Sequence, residues 1–352
     1  MRLTRRLTLG ALLLAAVAAC NAGGGSTPVP TKAPTSSSAA TTAPASTSAS
    51  QAPAQSPAGN LPTIKIGSVG FDEARVMAEL YAQVLEANGY KVDRTGIGLG
   101  DRSVVAPAIQ SGQIDLQPEY IGSRISYELK QANPSGGPAI GGITGPTGDS
   151  ATNLANLQTL LAPQNLTVLS YTPAVDTNAF VVRPDTATSL NLSKMSDLAA
   201  VQTQLKWGLA TDCPTNPLCG APNGALAQYG ITADTISAAT LLSACDVPMA
   251  DALKNKTIDL GELCSTQPDI IVNGWVILAD DKHTQPADNI SPIVRNDFLA
   301  KVDATSFEAL LNGVSAKIDT ATLADLYKQV TVDHKDPKDV AAAWLSANGF
   351  VK

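Results

Sequence analysis

An eleven-residue stretch with a partial echo later in this chain limits the folds open to it. Ala106-Pro-Ala-Ile-Gln-Ser-Gly-Gln-Ile-Asp-Leu116 has an echo in Ala250-Asp-Ala-Leu-Lys-Asn-Lys-Thr-Ile-Asp-Leu260. In both, a helical run gives way after a short turn to an apolar beat, an aspartate and the start of a strand, which suggests two similar α/β lobes. The first copy continues as Gly112-Gln-Ile-Asp-Leu-Gln-Pro-Glu-Tyr-Ile-Gly122. Here the reading is a strand at Ile114–Leu116, then a helix from Glu119 with Pro118 in its first turn. Gln117, Glu119, Tyr120 and Ser123 would then crowd a strand's carboxyl end beside a helix N-terminus, where open α/β sheets bind ligands.

The rest of the chain fits that frame. Strands are expected at Thr63–Ser68 and Lys91–Ile97, with a helix from Asp72 to Asn88 whose stripe is Val76, Leu80, Val84 and Leu85. With the opening stretch this makes the βαβαβ order of a parallel sheet. Asn133 to Ser150 reads as a Gly- and Pro-rich surface excursion. A second βαβ-like set runs from Ala179 to Leu278, and from Pro292 onward the pattern is of helices alone. The chain would cross between lobes near Tyr171–Asn178 and near Asp281–Pro292. The expected architecture is therefore α/β, two lobes joined by two crossover strands, with a helical C-terminal tail packed on the first lobe. The corresponding domain boundaries are 62–175 with 285–352 for lobe 1 and 176–284 for lobe 2.

The N-terminus carries an address. Met1-Arg-Leu-Thr-Arg-Arg6 followed by an apolar run from Leu7 to Ala19 has the parts of a secretory signal and is short for a membrane span. Val17-Ala-Ala-Cys20 resembles a bacterial lipobox, which makes Cys20, at the end of the expected signal segment 1–20, the candidate lipidation site and the mature N-terminus once the residues before it are removed. Residues 21–61 are almost entirely Ala, Ser, Thr, Pro, Gly and Gln, a composition expected to form a disordered spacer. Such a tether spans roughly 35 Å, enough to hold a domain clear of a membrane surface. The expected location is extracytoplasmic, anchored to the bacterial cell membrane through Cys20. Loss of Arg2, Arg5 and Arg6 with the signal moves the net charge from −7 to −10, which argues against nucleic acid as a partner.

Four cysteines remain, and in an exported protein an even number reads as disulfides with three possible connectivities. The Pro-rich loop between Cys213 and Cys219 brings its ends together readily. Cys245 and Cys264 lie near the ends of two candidate strands. The favoured pairs are 213–219 and 245–264. CxxC spacing and neighbouring histidines are missing, so no metal site is assigned.

No enzymatic constellation is present in sequence: His283 and His334 fall in no triad or metal pattern, and no phosphate loop occurs. Asp280-Asp281-Lys282 reads as a surface turn, and Trp207 and Trp275 as core. The chain is read as a non-enzyme that needs no cofactor. Loops at strand ends instead converge on Ser68, Phe71, Asp101, Gln117, Tyr120, Ser123, Asn178, Asp212, Thr266 and Gln267, the candidate ligand-binding set. Phe71, Tyr120 and Tyr171 would offer faces to a quaternary ammonium, and Asp101 an anion.

These residues resemble the substrate-binding proteins of osmoprotectant ABC importers, which bind glycine betaine, choline and related solutes. The resemblance rests on Ile66-Gly-Ser68 with Phe71 and Glu73, Leu80 to Tyr90, Gly98-Leu-Gly100, and Ile114-Asp-Leu with Pro118-Glu-Tyr120 and Gly122. Later it rests on Ala252-Leu-Lys-Asn with Ile258-Asp, Asp280-Asp-Lys, Pro286-Ala-Asp-Asn with Pro292, and Val332-Asp. It covers about Ile64 to the C-terminus. It implies the two-lobed type II periplasmic-binding fold, a monomeric receptor for a small solute, and partner permease and ATPase subunits. Asn178 and Gln117 stand where many members have tyrosine, Pro286-Ala-Asp-Asn replaces Pro-Tyr-Asn, and Val69 replaces a lysine. A more polar or larger solute is the alternative ligand, and an extracytoplasmic enzyme or a signalling receptor the alternative role.

Overall fold

The computed structural model describes residues 61–133 and 140–352. The expected signal, Cys20, most of the spacer and part of the 133–150 excursion lie outside them. Leu61, at the end of the expected spacer, packs against the core.

The chain first forms β1 (Thr63–Val69), α1 (Asp72–Ala87), β2 (Lys91–Gly100), α2 (Arg102–Ser111), β3 (Leu116–Tyr120), α3 (Ile121–Ala132), α4 (Ser150–Leu161) and β4 (Leu166–Val168). After a first crossover it forms β5 (Asn178–Val182), α5 (Pro184–Leu190), β6 (Trp207–Ala210), α6 (Ala225–Gln228) and α7 (Ala233–Ser237). These lead to β7 (Thr240–Leu242), α8 (Val247–Lys254), β8 (Leu260–Cys264), α9 (Pro268–Asn273) and β9 (Val276–Ile277). A second crossover returns it to β10 (Ile290–Arg295), α10 (Asn296–Leu299), α11 (Ala304–Ser315), α12 (Thr320–Thr331) and α13 (Pro337–Ala347). The strands make two five-stranded sheets, ordered β2-β1-β3-β10-β4 and β7-β6-β8-β5-β9.

Read across, the two sheets correspond strand for strand, with one antiparallel crossover strand, β10 or β5, set beside β3 or β8. The sequence echo is the junction of each half. The N–H of Asp115 donates to Lys65 O at 2.7 Å while its Oδ2 accepts from the Lys65 N–H at 3.0 Å. Asp259 makes the same pair of bonds with Lys206, at 2.7 and 3.0 Å. The aspartate thereby fixes the register in which β3 joins β1 (Ile66 beside Leu116) and β8 joins β6 (Trp207 beside Leu260). The isoleucine before each aspartate, Ile114 or Ile258, fills the space over a glycine, Gly67 or Gly208.

That close approach leaves no room for a methyl group. At Gly96, paired with Gly67, an added Cβ would lie 2.9 Å from Ile66 O and 3.1 Å from Gly67 Cα. Both are backbone atoms of β1, so relief requires parting the strands. Gly96→Ala is expected to lower stability by about 2–3 kcal/mol, read as a lower urea midpoint with an unchanged m-value.

Two elements depart from expectation. Pro118 does not open a helix: β3 runs on through Glu119 to Tyr120, and α3 starts at Ile121. The strand tolerates Pro118 because its partner across β10 is Pro292, whose carbonyl accepts from Leu169 on the far side. At such a non-hydrogen-bonded pair neither missing N–H is needed between the two strands. Pro292 likewise lies inside a strand, and the all-helical tail begins only after Arg295.

Tail helices α11, α12 and α13 pack on α1, whose Tyr81 hydroxyl meets Ser315 Oγ at 2.8 Å inside the core. α12 also reaches α9 of the second lobe. Where the crossovers pass, Val175 and Asn289 form an antiparallel bridge, and the Asn289 amide donates to Thr172 O and Ala174 O. Both cysteine pairings are those favoured from sequence, 213–219 and 245–264. No helix among the described residues is long and apolar enough to cross a membrane.

Candidate functional site

The carboxyl ends of β1 and β3, the start of α1, both crossovers and the end of β8 meet in one place. Glu73, in the first turn of α1, is buried and accepts from the Tyr120 hydroxyl at 2.5 Å through Oε1. Its Oε2 is buried without a donor. Asp176 of the first crossover accepts from the Thr266 hydroxyl at 2.9 Å, which uses that residue's one proton. Asp288 of the second crossover accepts from the N–H groups of Gly122 and Ser123 at 2.7 and 3.1 Å and from the Ser123 hydroxyl at 2.6 Å. A carboxylate of the chain itself thus occupies the N-terminus of α3.

Crowding these acids shifts them together. Burial, helped by Asp176, pushes the Glu73 carboxyl up to about 8. Burial likewise raises Asp176 and takes Asp288 to about 6. Burial and the neighbouring Glu73 push the Tyr120 phenol well above its ordinary value, and burial with Glu73 raises Tyr327 of α12. Arg102 acts on Asp288, but its guanidinium is held by Glu119 at 2.9–3.1 Å. Glu119 in turn meets the fully buried Arg124 at 3.4 Å, and Arg124 holds Glu128 at 2.7 Å. This buried corner is therefore acidic, and the arginines nearest it among the described residues are committed to Glu119 and Glu128.

The residues expected at a ligand divide accordingly. Tyr120 stands at the centre, with the half-exposed Phe71 ring tilted 40° to it at 5.5 Å. Thr266 is buried on Asp176. Ser123 is engaged by Asp288. Ser68 is buried, accepting from Gly98 N–H and donating to Val69 O. Gln117 is buried with its amide on Glu119, and Gln267 with its amide on Asp269; the carbonyl oxygen of each lacks a partner. Asp101 is exposed at the start of α2 and makes no side-chain capping bond. Asp212 is exposed and accepts from Asn216. Asn178 opens β5 and lines a mostly apolar cavity of about 140 Å³ with Phe180, Met195, Leu278 and Gln285.

Glu73, Asp176, Asp288 and Tyr327 were not among the expected ligand residues. Glu73 follows a strand-end loop by two residues, and Asp176 and Asp288 lie inside the expected crossovers, so their positions carried a signal. Tyr327 comes from the tail and carried none. Asp280 is no loose surface turn either. Its carboxylate accepts from the Tyr229 hydroxyl, from the N–H and hydroxyl of Thr284, and from Gln285 N–H. Cys213, Cys219 and Glu262 gather within 4.8 Å, but the sulfurs are joined to each other and offer no thiolate.

Residues 62–347 match the family model for the substrate-binding domain of ABC-type glycine betaine transport systems. The chain belongs to that family. It is 27% identical over 297 residues to a glycine-betaine-binding protein of Pseudomonas aeruginosa, covering 80% of this chain and 87% of that one. It is 25% identical over 293 residues to the glycine betaine-binding protein YehZ of Escherichia coli, covering 82% and 92%. Among solved structures, a glycine betaine/carnitine/choline ABC transporter protein aligns with a TM-score of 0.69 at 20% identity, over 82% of this chain and 99% of that one. Apo YehZ from Escherichia coli aligns at 0.67 and 23%, over 83% and 100%. The fold is the two-lobed periplasmic-binding architecture that the resemblance implied, and the family is one of solute-binding components of transporters.

Proposed function

We propose that this protein is the extracytoplasmic receptor of an ABC importer, tethered through Cys20, and that its cleft takes a small quaternary-ammonium solute. The carrying observation is the pairing of a half-exposed aromatic ring with a buried carboxylate short of a partner. The Phe71 ring lies against the buried Tyr120 ring, whose hydroxyl holds Oε1 of Glu73 and leaves Oε2 without a partner, and no cation among the described residues is paired with Glu73. A quaternary ammonium has no hydrogen to donate, so it is recognised by ring faces and by charge, and this end of the cleft supplies both. Delivery to permease and ATPase subunits follows from the family's role in ABC transport.

Thermal unfolding with a panel of glycine betaine, choline, carnitine, proline and polyols tests this reading. A true ligand at one hundred times its Kd is expected to stabilise the protein by about 2.7 kcal/mol. No shift with any quaternary ammonium would sink the proposal, and turnover of a bound compound would favour an enzyme instead. Phe71→Ala is expected to weaken quaternary-ammonium binding by about 2- to 30-fold with little change in the unliganded melting temperature, because the ring is half exposed. Unchanged affinity would remove Phe71 from the site.

A further inference from the structure

Glu73 sits where charge is hardest to keep. The groups that act on it are Asp176 and Asp288 from the two crossovers, Tyr120 from β3, Tyr327 from α12 and the Thr266 hydroxyl, whose one proton is donated to Asp176. No cation is among them, and Asp72, its neighbour on α1, is a further acid. Arg102 of α2 acts on Asp288 and is itself bound by Glu119. The Tyr120 hydroxyl satisfies one oxygen of Glu73, and the other is buried with nothing to accept from. Buried carboxylates brought together without a counter-ion keep their protons. A cation arriving against the Phe71–Tyr120 face would supply the missing charge.

We propose, building on the quaternary-ammonium reading of the cleft, that Glu73 trades a proton for the solute: it is protonated in the empty cleft, and as the cation enters it releases that proton to solvent and becomes the carboxylate against which the cation rests. Only the carboxyl O–H bond breaks. One positive charge enters and one leaves, so the buried charge is unchanged. Binding is therefore linked to pH, and acid favours release.

The sign follows from the direction of the shift. In the empty protein the Glu73 carboxyl titrates near 8, and a cation beside it lowers that value. Between the two values affinity rises with pH, by up to a factor of ten per unit. Folding of the empty protein runs the other way. The folded-state value is raised above the ordinary 4.5, so the contribution of Glu73 to stability is whole below about 4.5 and is lost as pH rises through about 8.

Titration calorimetry with choline chloride, at about pH 6 and about pH 8 and in two buffers of different ionisation enthalpy, tests the exchange. Native protein is expected to bind choline about 10- to 100-fold more tightly at the higher pH, with close to one proton released per choline at the lower. Glu73→Gln should bind more weakly, with most of the pH dependence lost and only the smaller contribution of Asp176 and Asp288 remaining. Choline binding to native protein with no pH dependence and no proton release would overturn the exchange while leaving the quaternary-ammonium reading in place. Failure of both choline and tetramethylammonium to bind at either pH would remove that reading and the exchange with it. The ligand-free proteins give a separate measurement: the melting temperature of Glu73→Gln should gain on that of the native protein from about pH 5 to about pH 8. A constant difference would show that Glu73 is already ionised in the empty cleft and would overturn the proposal.

Discussion

Arg124→Met is expected to cost about 3 kcal/mol of stability, because it strands two buried carboxylates at once. The guanidinium is wholly buried, holds Glu128 at 2.7 Å and faces Glu119 at 3.4 Å. The cost falls at the lower end for a broken buried pair because Arg102 stays on Glu119 and Gln164 stays on Glu128. A second change, Glu128→Leu, should return part of the loss by removing the stranded charge along with its partner. Arg94→Met is the contrast: it also abandons two glutamates, but Arg94 and Glu86 are partly exposed and the buried Glu79 keeps Gln83 at 3.3 Å, so a smaller loss, about 1–2 kcal/mol, is expected. Urea unfolding of the three variants checks the ordering. Equal losses at Arg124 and Arg94 would mean that the buried network contributes no more than a surface pair.

Reducing the disulfides should loosen one lobe selectively. None of the five cysteines lies in the first sheet or the C-terminal helices, and both bridges staple the second lobe. Loop-closure entropy assigns about 3 kcal/mol to Cys245–Cys264, with its separation of 19, and about 2 kcal/mol to Cys213–Cys219, with its separation of 6. Under reductant, the second lobe is expected to melt before the first, giving two resolved unfolding transitions. The longer bridge also has a functional reach. Cys264 ends β8 two residues before Thr266, whose hydroxyl holds Asp176. Cys245→Ser with Cys264→Ser should therefore weaken solute binding as well as stability. A coincident loss in both lobes would show that they unfold as one unit.

Much of the scaffold was legible because local chemistry carried it. The Ile-Asp-Leu echo marks a junction built twice from the same bonds, and the short loop between Cys213 and Cys219 decided its own pairing. The end of β3 was not legible. Pro118 beside Glu119 reads as a helix start, and only the antiparallel partner Pro292, far away in sequence, makes a strand of it. The acids around Tyr120 were obscured for a similar reason. Glu73, Asp176 and Asp288 are distant along the chain, and each alone resembles an ordinary loop or helix-start acid. Their meaning comes from the topology that brings two crossovers to the start of α1.

The central place of β10 in the first sheet has a consequence for how the protein is made. β10 lies between β3 and β4, yet it leaves the ribosome only after the whole second lobe has been synthesised. Until residue 295 is available, β3 and β4 each have an open edge, which invites pairing with other chains. The second lobe is continuous in sequence and has every strand of its sheet by residue 277. It is the part able to fold first, while the first lobe must wait for its last strand. The fold is therefore completed from the inserted lobe outward.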